Sequence, residues 1–478
     1  MSIFRTNDPA LFDDVDGIII DESAPPPSVQ GVAANVAILI GQFQRGPTSL
    51  EAPTSIGELH EMYGKSDASG NLALRNKKFG TLKIVRVVAA AATKATDTFQ
   101  DNTTDIITFT AKHKGAYGNN IYVTISAGSG STSTYVIEDK NPGSVLAKET
   151  YANIAAADLN ASLFSTSKLV DVTVVATSSE PDPVAATALS GGSDGTVADT
   201  DYETALATAG TEMAGNVVFL DVYNSIRNGY LKTHAAATQD RMVICAFGEN
   251  DDLATCITSV GSLRDSDGRI IAAFPWVQTT INGVPTYTSP ASWMASLISQ
   301  TPAHIDVAST DTLDFMAGAT GLKYKLTRAG FIQAKDAGLA AFEQARGYIK
   351  VKSGVVTQIA NSSKVMILRR RMADYLTNSI GMYLENYQNK PNKKSNRQEI
   401  AAGIYDFVDR HERDGILPKD SEVSTGKAKI VDTESLNTDS SLALGFVKIK
   451  YKQRIFSSMR FIVLQAEIGE SVVVTEAE

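Results

Sequence analysis

Gly64-Lys65-Ser66 has the residue types that close a phosphate-binding loop: a glycine, a lysine for the phosphates and a hydroxyl for a metal. Such a loop needs another glycine five positions before Gly64, and Leu59 stands there. Gly64 is better read as a helix stop. Asp265-Ser266-Asp267-Gly268 opens like a calcium loop, but the twelfth position holds Trp276 where a bidentate Glu is required, so a plain turn is expected. No Gly-x-Ser-x-Gly elbow occurs. His60, His113, His234, His304 and His411 are scattered, and none pairs with another His, a Cys or a carboxylate at metal-ligand spacing. Cys245 and Cys256 lie in apolar context and read as buried free thiols. The sequence therefore names no catalytic residue, no metal ligand and no cofactor-binding residue, and an enzyme is not expected.

Composition narrows the remaining classes. The chain has 478 residues, 43% of them hydrophobic and 20% charged, which is the balance of a folded protein of several domains. Its net charge of −9 argues against a general attraction to nucleic acid. No apolar stretch is long enough to span a membrane, and the N-terminus has no signal core. These features point to a protein folded in a reducing compartment. One local feature runs against the acidic balance. Arg369, Arg370, Arg371, Lys390, Lys393, Lys394 and Arg397 meet only Asp374 and Glu385 over residues 369–397. This stretch is either a solvated helix start and loop or a contact for an acidic partner. Nucleic acid is disfavoured because no aromatic residues interleave with the charges.

The elements that would position these groups fall into blocks. Residues 1–27 are acidic, carry the short apolar run Ile18-Ile19-Ile20 and end in Pro25-Pro26-Pro27, an extended spacer. Val36–Ile40 is a continuous apolar run, as expected for a strand covered on both faces. Ser55-x-x-Glu58 starts a helix that Gly64 stops, and 82–88 is the next strand, so a parallel α/β unit begins here. Residues 94–199 turn β-like, with strands expected at 106–109, 121–125, 134–137 and 172–175, and with 178–195 as a linker or long loop. The α/β pattern resumes over 200–350, with strands at 217–220, 242–246 and 269–273 and helices at 252–263 and 293–299. In the block 351–460, Met372, Leu376, Ile380, Tyr383 and Tyr387 mark one long amphipathic helix. Ser395-x-x-Gln398 caps a second helix, stopped by Gly415, and Val447, Ile449 and Tyr451 alternate with lysines as a strand covered on one face. The tail 461–478 holds the apolar runs Phe461-Ile462-Val463-Leu464 and Val472-Val473-Val474 among glutamates. The expected class is α/β multidomain: an α/β core (28–93 plus 200–350), an inserted β-rich domain, a C-terminal α+β domain, and extended N- and C-terminal arms.

The order of several motifs resembles that of contractile bacteriophage tail sheath proteins and related contractile injection particles. It is carried by Val36–Gly41, Arg45-Gly46-Pro47, Pro53–Leu59 with Tyr63-Gly64, Val85-Arg86-Val87, Gly115–Ile121, Gly268-Arg269, Phe274-Pro275-Trp276 and Arg369–Leu376. The resemblance implies a subunit that polymerises with itself as stacked hexameric rings around a tail tube protein. Baseplate and tail terminator proteins are implied partners, and nucleic acid and direct membrane insertion are not. It implies assembly in the host cytoplasm, a place in the virion tail sheath, and a contraction that drives the tube through the host envelope. It turns the inserted domain outward and the 351–460 domain toward the tube, where the basic residues would touch it. It also implies that the arms donate strands to neighbouring subunits. Ile18, Ile19, Ile20, Phe461, Ile462, Val463, Leu464, Val472, Val473 and Val474 are the candidate strand residues, and such short apolar runs cannot bury themselves alone. A sheath subunit of a non-viral injection system, an α/β enzyme and a glycan-binding surface protein are the alternatives.

Overall fold

The computed structural model describes residues 3–5, 18–20 and 28–458, apart from 34, 142–143, 212–216, 346, 361–363 and 424–425. Two compact units emerge: residues 33–374, and residues 1–32 together with 375–478. The class is α/β with several sheets.

The larger unit is built on a seven-stranded sheet. In spatial order its strands are Tyr348–Val351, Leu339–Ala345, Ile270–Phe274, Met242–Cys245, Val217–Leu220, Val36–Gln42 and Thr81–Val87. Every neighbouring pair is parallel except the first, where Phe342 faces Val351 in antiparallel register. The apolar runs explain this layout. Val36 to Ile40 are all buried, as are the four residues of Val217–Leu220 and of Met242–Cys245, because helices cover both faces. One face packs Leu39, Phe219, Ile244 and Ile271 against Trp293, Met294 and Leu297 of the helix Pro290–Gln300. The other packs Ile38, Val218, Val243 and Ile270 against Tyr202, Leu206, Leu231 and Cys256. Cys245 and Cys256 are both buried and free, and burial pushes both thiols up.

Local signals behave as their chemistry dictates. Ser55 Oγ accepts from the Glu58 amide and starts the helix Ile56–Tyr63, and Gly64 ends it at φ 83°. The Glu58 carboxylate reaches one residue further back than expected, to the amide and hydroxyl of Thr54, each at 2.7 Å. Asp265 Oδ2 accepts from the Arg269 amide, and Gly268 takes φ 70°, the geometry of a turn.

Between Thr81–Val87 and the helix Asp199–Ala209, the chain forms two antiparallel sheets around a shared core of Phe109, Tyr135, Phe164 and Val170. One has the order Val170–Val174, Thr104–Ala111, Thr96–Asp101. The other runs Val184–Ala188, Ile121–Ala127, Ser133–Asn141, Ser144–Ile154. The stretch 178–195 is thus not simply a linker. Val184–Ala188 pairs with Ile121–Ala127 through a register shift, and its alanines and threonine lack the apolar alternation that would reveal a strand.

In the smaller unit, the last turns of the helix Ile367–Glu385 meet the helix Lys394–Arg413. Lys393 is the N-cap of the second helix, without a side-chain cap bond, and Ser395 lies inside it. A two-stranded antiparallel ladder follows, with Lys429 opposite Gln453 and Asp432 opposite Lys450.

Candidate functional site

A doubly wound sheet offers one habitual ligand site, the crevice beyond the carboxyl ends of the strands where the chain order reverses. Here that point lies between Val36–Gln42 and Val217–Leu220. Asp221 occupies it. Its Oδ2 accepts from the Gln42 amide at 2.7 Å and from Ser69 Oγ, and its Oδ1 accepts from the Tyr202 hydroxyl at 2.7 Å. Tyr202 in turn accepts from Gln42 Nε2 at 2.9 Å. Burial raises the Asp221 carboxyl above the usual range against the pull of those donors. A side chain at Gly70 would strike the Gln42 carbonyl and the Phe43 ring, so the crevice is closed by the protein's own packing. Asp221 and its donors hold the sheet and helix ends together at that point.

The basic stretch separates into distinct roles. Arg369, Arg370 and Arg371 belong to the larger unit. Arg371 is 7% exposed and donates to the carbonyls of Ile298, Thr301 and Pro302 at 3.0, 2.6 and 3.3 Å. Two of those acceptors are carbonyls at or just beyond the end of the helix Pro290–Gln300, which need such donors. Asp374 is buried between Arg370 and Arg269, the latter at 2.9 Å. Arg369 is half-buried.

The other four basic residues belong to the smaller unit. Arg397 is buried, bonds Glu434 at 3.1 Å and donates to Asn392 Oδ1 at 2.9 Å. Lys390, Lys393 and Lys394 are exposed around the start of the helix Lys394–Arg413, with Lys390 4.7 Å from the Tyr387 ring centre. Of the seven residues read as one basic surface, these three carry ammonium groups in open solvent. Arg371 and Arg397 serve the fold.

Sequence reasoning missed how the chain just after the prolines is held. Val29 is fully buried, its carbonyl accepts from Arg410 at 2.6 Å, and the Val32 amide donates to Ser379 Oγ at 3.1 Å. His411 packs beside it, with Nδ1 at 2.8 Å from the Phe407 carbonyl and Nε2 at 3.0 Å from the Tyr375 hydroxyl. The chain after Pro27 is therefore fastened to the two helices before it enters the larger unit. Only the isolated apolar Val29 after the prolines hinted at this.

Of the candidate strand residues, Ile18–Ile20 precede this anchor in sequence and the others lie at the far end of the chain. Ile18–Ile20 forms a strand that pairs in parallel with Ile3–Arg5, Ile3 facing Ile18 and Arg5 facing Ile20. Phe461, Ile462, Val463, Leu464, Val472, Val473 and Val474 lie outside the described residues. Among the described residues no third strand joins the ladder Lys429–Asp432 with Lys450–Gln453, so both of its outer edges are open. Large apolar side chains stand exposed around it: Ile430, Leu436, Leu444, Phe446 and Phe456, with Leu444 74% exposed. Lys429 anchors the ladder to the helix Lys394–Arg413 through Asp409 and through Glu412 at 2.9 Å.

No family model matches the sequence, and no curated protein sequence matches it. Solved structures do. A sheath tail protein from Listeria innocua superposes with a TM-score of 0.63 at 15% identity, over 86% of this chain and 90% of that one. The helical sheath of the anti-feeding prophage in its contracted state gives 0.59 at 13% identity, over 95% of this chain and 99% of that one. The contracted sheath of PVC, an extracellular contractile injection system, gives 0.56 at 10% identity, over 95% and 97%. The fold of this chain is the fold of contractile sheath proteins.

Proposed function

We propose that the chain is the structural subunit of a contractile sheath, which polymerises around a tail tube and contracts to drive that tube through a target envelope. The observation that carries the reading is a fold likeness spanning 95% of the chain to a helical sheath in its contracted state. The surfaces described above supply a matching physical basis. A ladder with two open edges and exposed apolar neighbours is suited to receiving strands from other copies, and the runs at 18–20, 461–464 and 472–474 are of the kind it would receive. Each backbone hydrogen bond so formed contributes only about 1 kcal/mol net, yet the links recur in every subunit. Contacts that repeat head to tail build helices instead of closed dimers.

In this reading residues 94–199 face outward and 351–460 face the tube, with Lys390, Lys393 and Lys394 meeting an acidic tube surface. Rigid subunits exchange one set of side-chain interfaces for a better-matched set, and the arms act as hinges that keep copies linked. A kinetic barrier holds the extended state until a baseplate releases it. The particle is a virion tail assembled in the host cytoplasm. A non-viral injection particle is the second reading, favoured by the likeness to the PVC sheath.

The test is electron microscopy of the purified full-length chain beside a variant lacking residues 1–24. The full chain is expected to form striated tubes and the variant a folded monomer. Normal tubes from the shortened chain would overturn the arm linkage, and a monodisperse full chain under all assembly conditions would overturn the sheath reading.

A further inference from the structure

The larger unit contains a cleft of about 670 Å³ that the sheath reading does not use. One wall comes from the α/β core: Arg45, Pro47 and the Glu58, Glu61 and Met62 side of the helix Ile56–Tyr63. The opposite wall comes from the two-sheet region, through residues 111–121, 147–149 and 165–169. The size is that of an ordinary small-ligand pocket.

The walls are locked together. Arg86, buried at the end of its core strand, donates to the carbonyls of Phe43 and Gly46 and, at 2.9 Å, to that of Lys114 across the cleft. Arg45 pairs with the buried Asp139 and donates to the Tyr117 hydroxyl at 3.0 Å, and Tyr117 donates to Asp139 at 2.7 Å. A cleft held by buried charge-assisted bonds keeps its shape without a ligand, so binding loses little to ordering.

The lining has two characters. Its interior is apolar, Met62, Ala111, Ile121 and Leu169, with Ala147 exposed at the rim. Its charged residues are five cations, Arg45, Lys112, Lys114, Lys148 and Lys168, against Glu58, Glu61 and Glu149. The carboxylates are engaged within the protein, Glu61 by Lys168, Glu149 by Ser167 and the Lys168 amide, Glu58 by Thr54, and so are four of the cations, Arg45 by Asp139, Lys112 by Asp171, Lys148 by Glu138 and Lys168 by Glu61. Lys114 is exposed and, among the described residues, its ammonium has no counter-ion. The imidazole of His113 reports the same positive field. Burial first, then Arg86, Lys94, Arg45 and Lys112, push it down to about 4, so it stays neutral at ordinary pH and free to hydrogen-bond.

We propose that this cleft binds a small amphipathic carboxylate, its alkyl or aryl body against Met62, Ile121 and Leu169 and its anionic head at Lys114 and His113. A glycan would need an open aromatic face, and the one aromatic ring in the lining, Tyr117, is buried under Arg45. A bare phosphate would leave the apolar interior unused.

The experiment is titration calorimetry of the full-length chain with decanoate and, as the neutral match, 1-decanol. Decanoate is expected to bind saturably at one site per chain, and decanol roughly tenfold more weakly or worse, the measure of one charge-assisted contact. Lys114→Glu should weaken decanoate by roughly tenfold while leaving decanol unchanged. Ala147→Trp, an exposed position on a strand that tolerates aromatics, should fill the cleft and abolish both. Circular dichroism of each variant confirms folding, and a variant that fails this check is replaced by Lys114→Gln or Ala147→Phe. Equal affinity for acid and alcohol, no saturable binding of decanoate, or unchanged binding in the folded Ala147→Trp protein would overturn the proposal. Tube formation is read separately, so loss of the ligand site and failure of the sheath reading remain distinguishable.

Discussion

The seven-stranded sheet and the two-stranded ladder solve the same problem in opposite ways. The sheet covers both faces with helices, ends in the antiparallel strand Tyr348–Val351, and packs its switch-point crevice with Asp221, Tyr202 and Ser69. The apolar demands of its two faces are met inside one subunit. Among the described residues the ladder has two open edges and a fringe of exposed Leu444, Phe446 and Phe456. An edge and an apolar fringe left in that state are a hazard unless another chain covers them. On the proposed function, the contrast is that of a body that keeps its shape and a connector that association would complete. It can be broken by showing that damage to the body spares association, or that damage to the connector unfolds the body.

The largest effect belongs to the body. Asp374→Ala leaves the buried Arg269 and the half-buried Arg370 without their shared carboxylate. Loss of about 3–5 kcal/mol in unfolding free energy is expected, the usual cost of orphaning a buried charge. Asp374→Asn keeps an acceptor and should lose less. Urea unfolding followed by circular dichroism measures both, and a loss below about 1 kcal/mol for the alanine variant would show that the two arginines find other partners.

A smaller effect is set by pH. His234 is buried on the helix Ser225–Thr238, its Nε2 has no hydrogen-bond partner among the described residues, and burial together with Arg241 pushes it down to about 4. Its folded value lies below its unfolded value of 6.5, so between about pH 6.5 and 4 the unfolded chain binds the extra proton. Stability is full above that window and falls as pH drops through it, by up to about 1.4 kcal/mol per pH unit. His234→Leu should make the urea midpoint fall less steeply over that range, with His113, also pushed down to about 4, keeping part of the slope. An unchanged slope in the variant would move the effect to other groups.

What the sequence discloses follows the same division. Val36–Ile40 is legible because a strand covered on both faces must be apolar without a break, and Ser55 because a cap bond is local. Helices Asp199–Ala209 and Ser225–Thr238 are hard to read because alanine, threonine and asparagine blur their apolar stripe. A charge count over 369–397 cannot tell an inward arginine from an outward lysine. The helical period can. Arg371 is three residues after buried Leu368 and four after buried Ile367, and Arg397 precedes Ile400, Ile404 and Phe407 by three, seven and ten. Both positions share the covered face of their helices. The anchor at Val29 has no period at all, since a single residue held by Arg410 is a tertiary event.

The smallest expected effect on stability carries the most information about the connector. Lys393 is the N-cap of the helix Lys394–Arg413 and Lys394 its first residue, the end where a helix favours negative charge. Two exposed lysines there are unfavourable for the isolated helix. Lys393→Glu with Lys394→Glu should therefore leave unfolding unchanged or raise stability by about 0.3–1 kcal/mol. If these lysines meet an acidic tube, the same pair should abolish sheath formation on tubes while free sheath still polymerises, and added salt should mimic the loss in the parent protein. Co-sedimentation with purified tubes reads this directly. A variant that is both more stable and fully competent for tube binding would show the lysines to be solvated surface, and would leave the ladder edges as the whole of the connector.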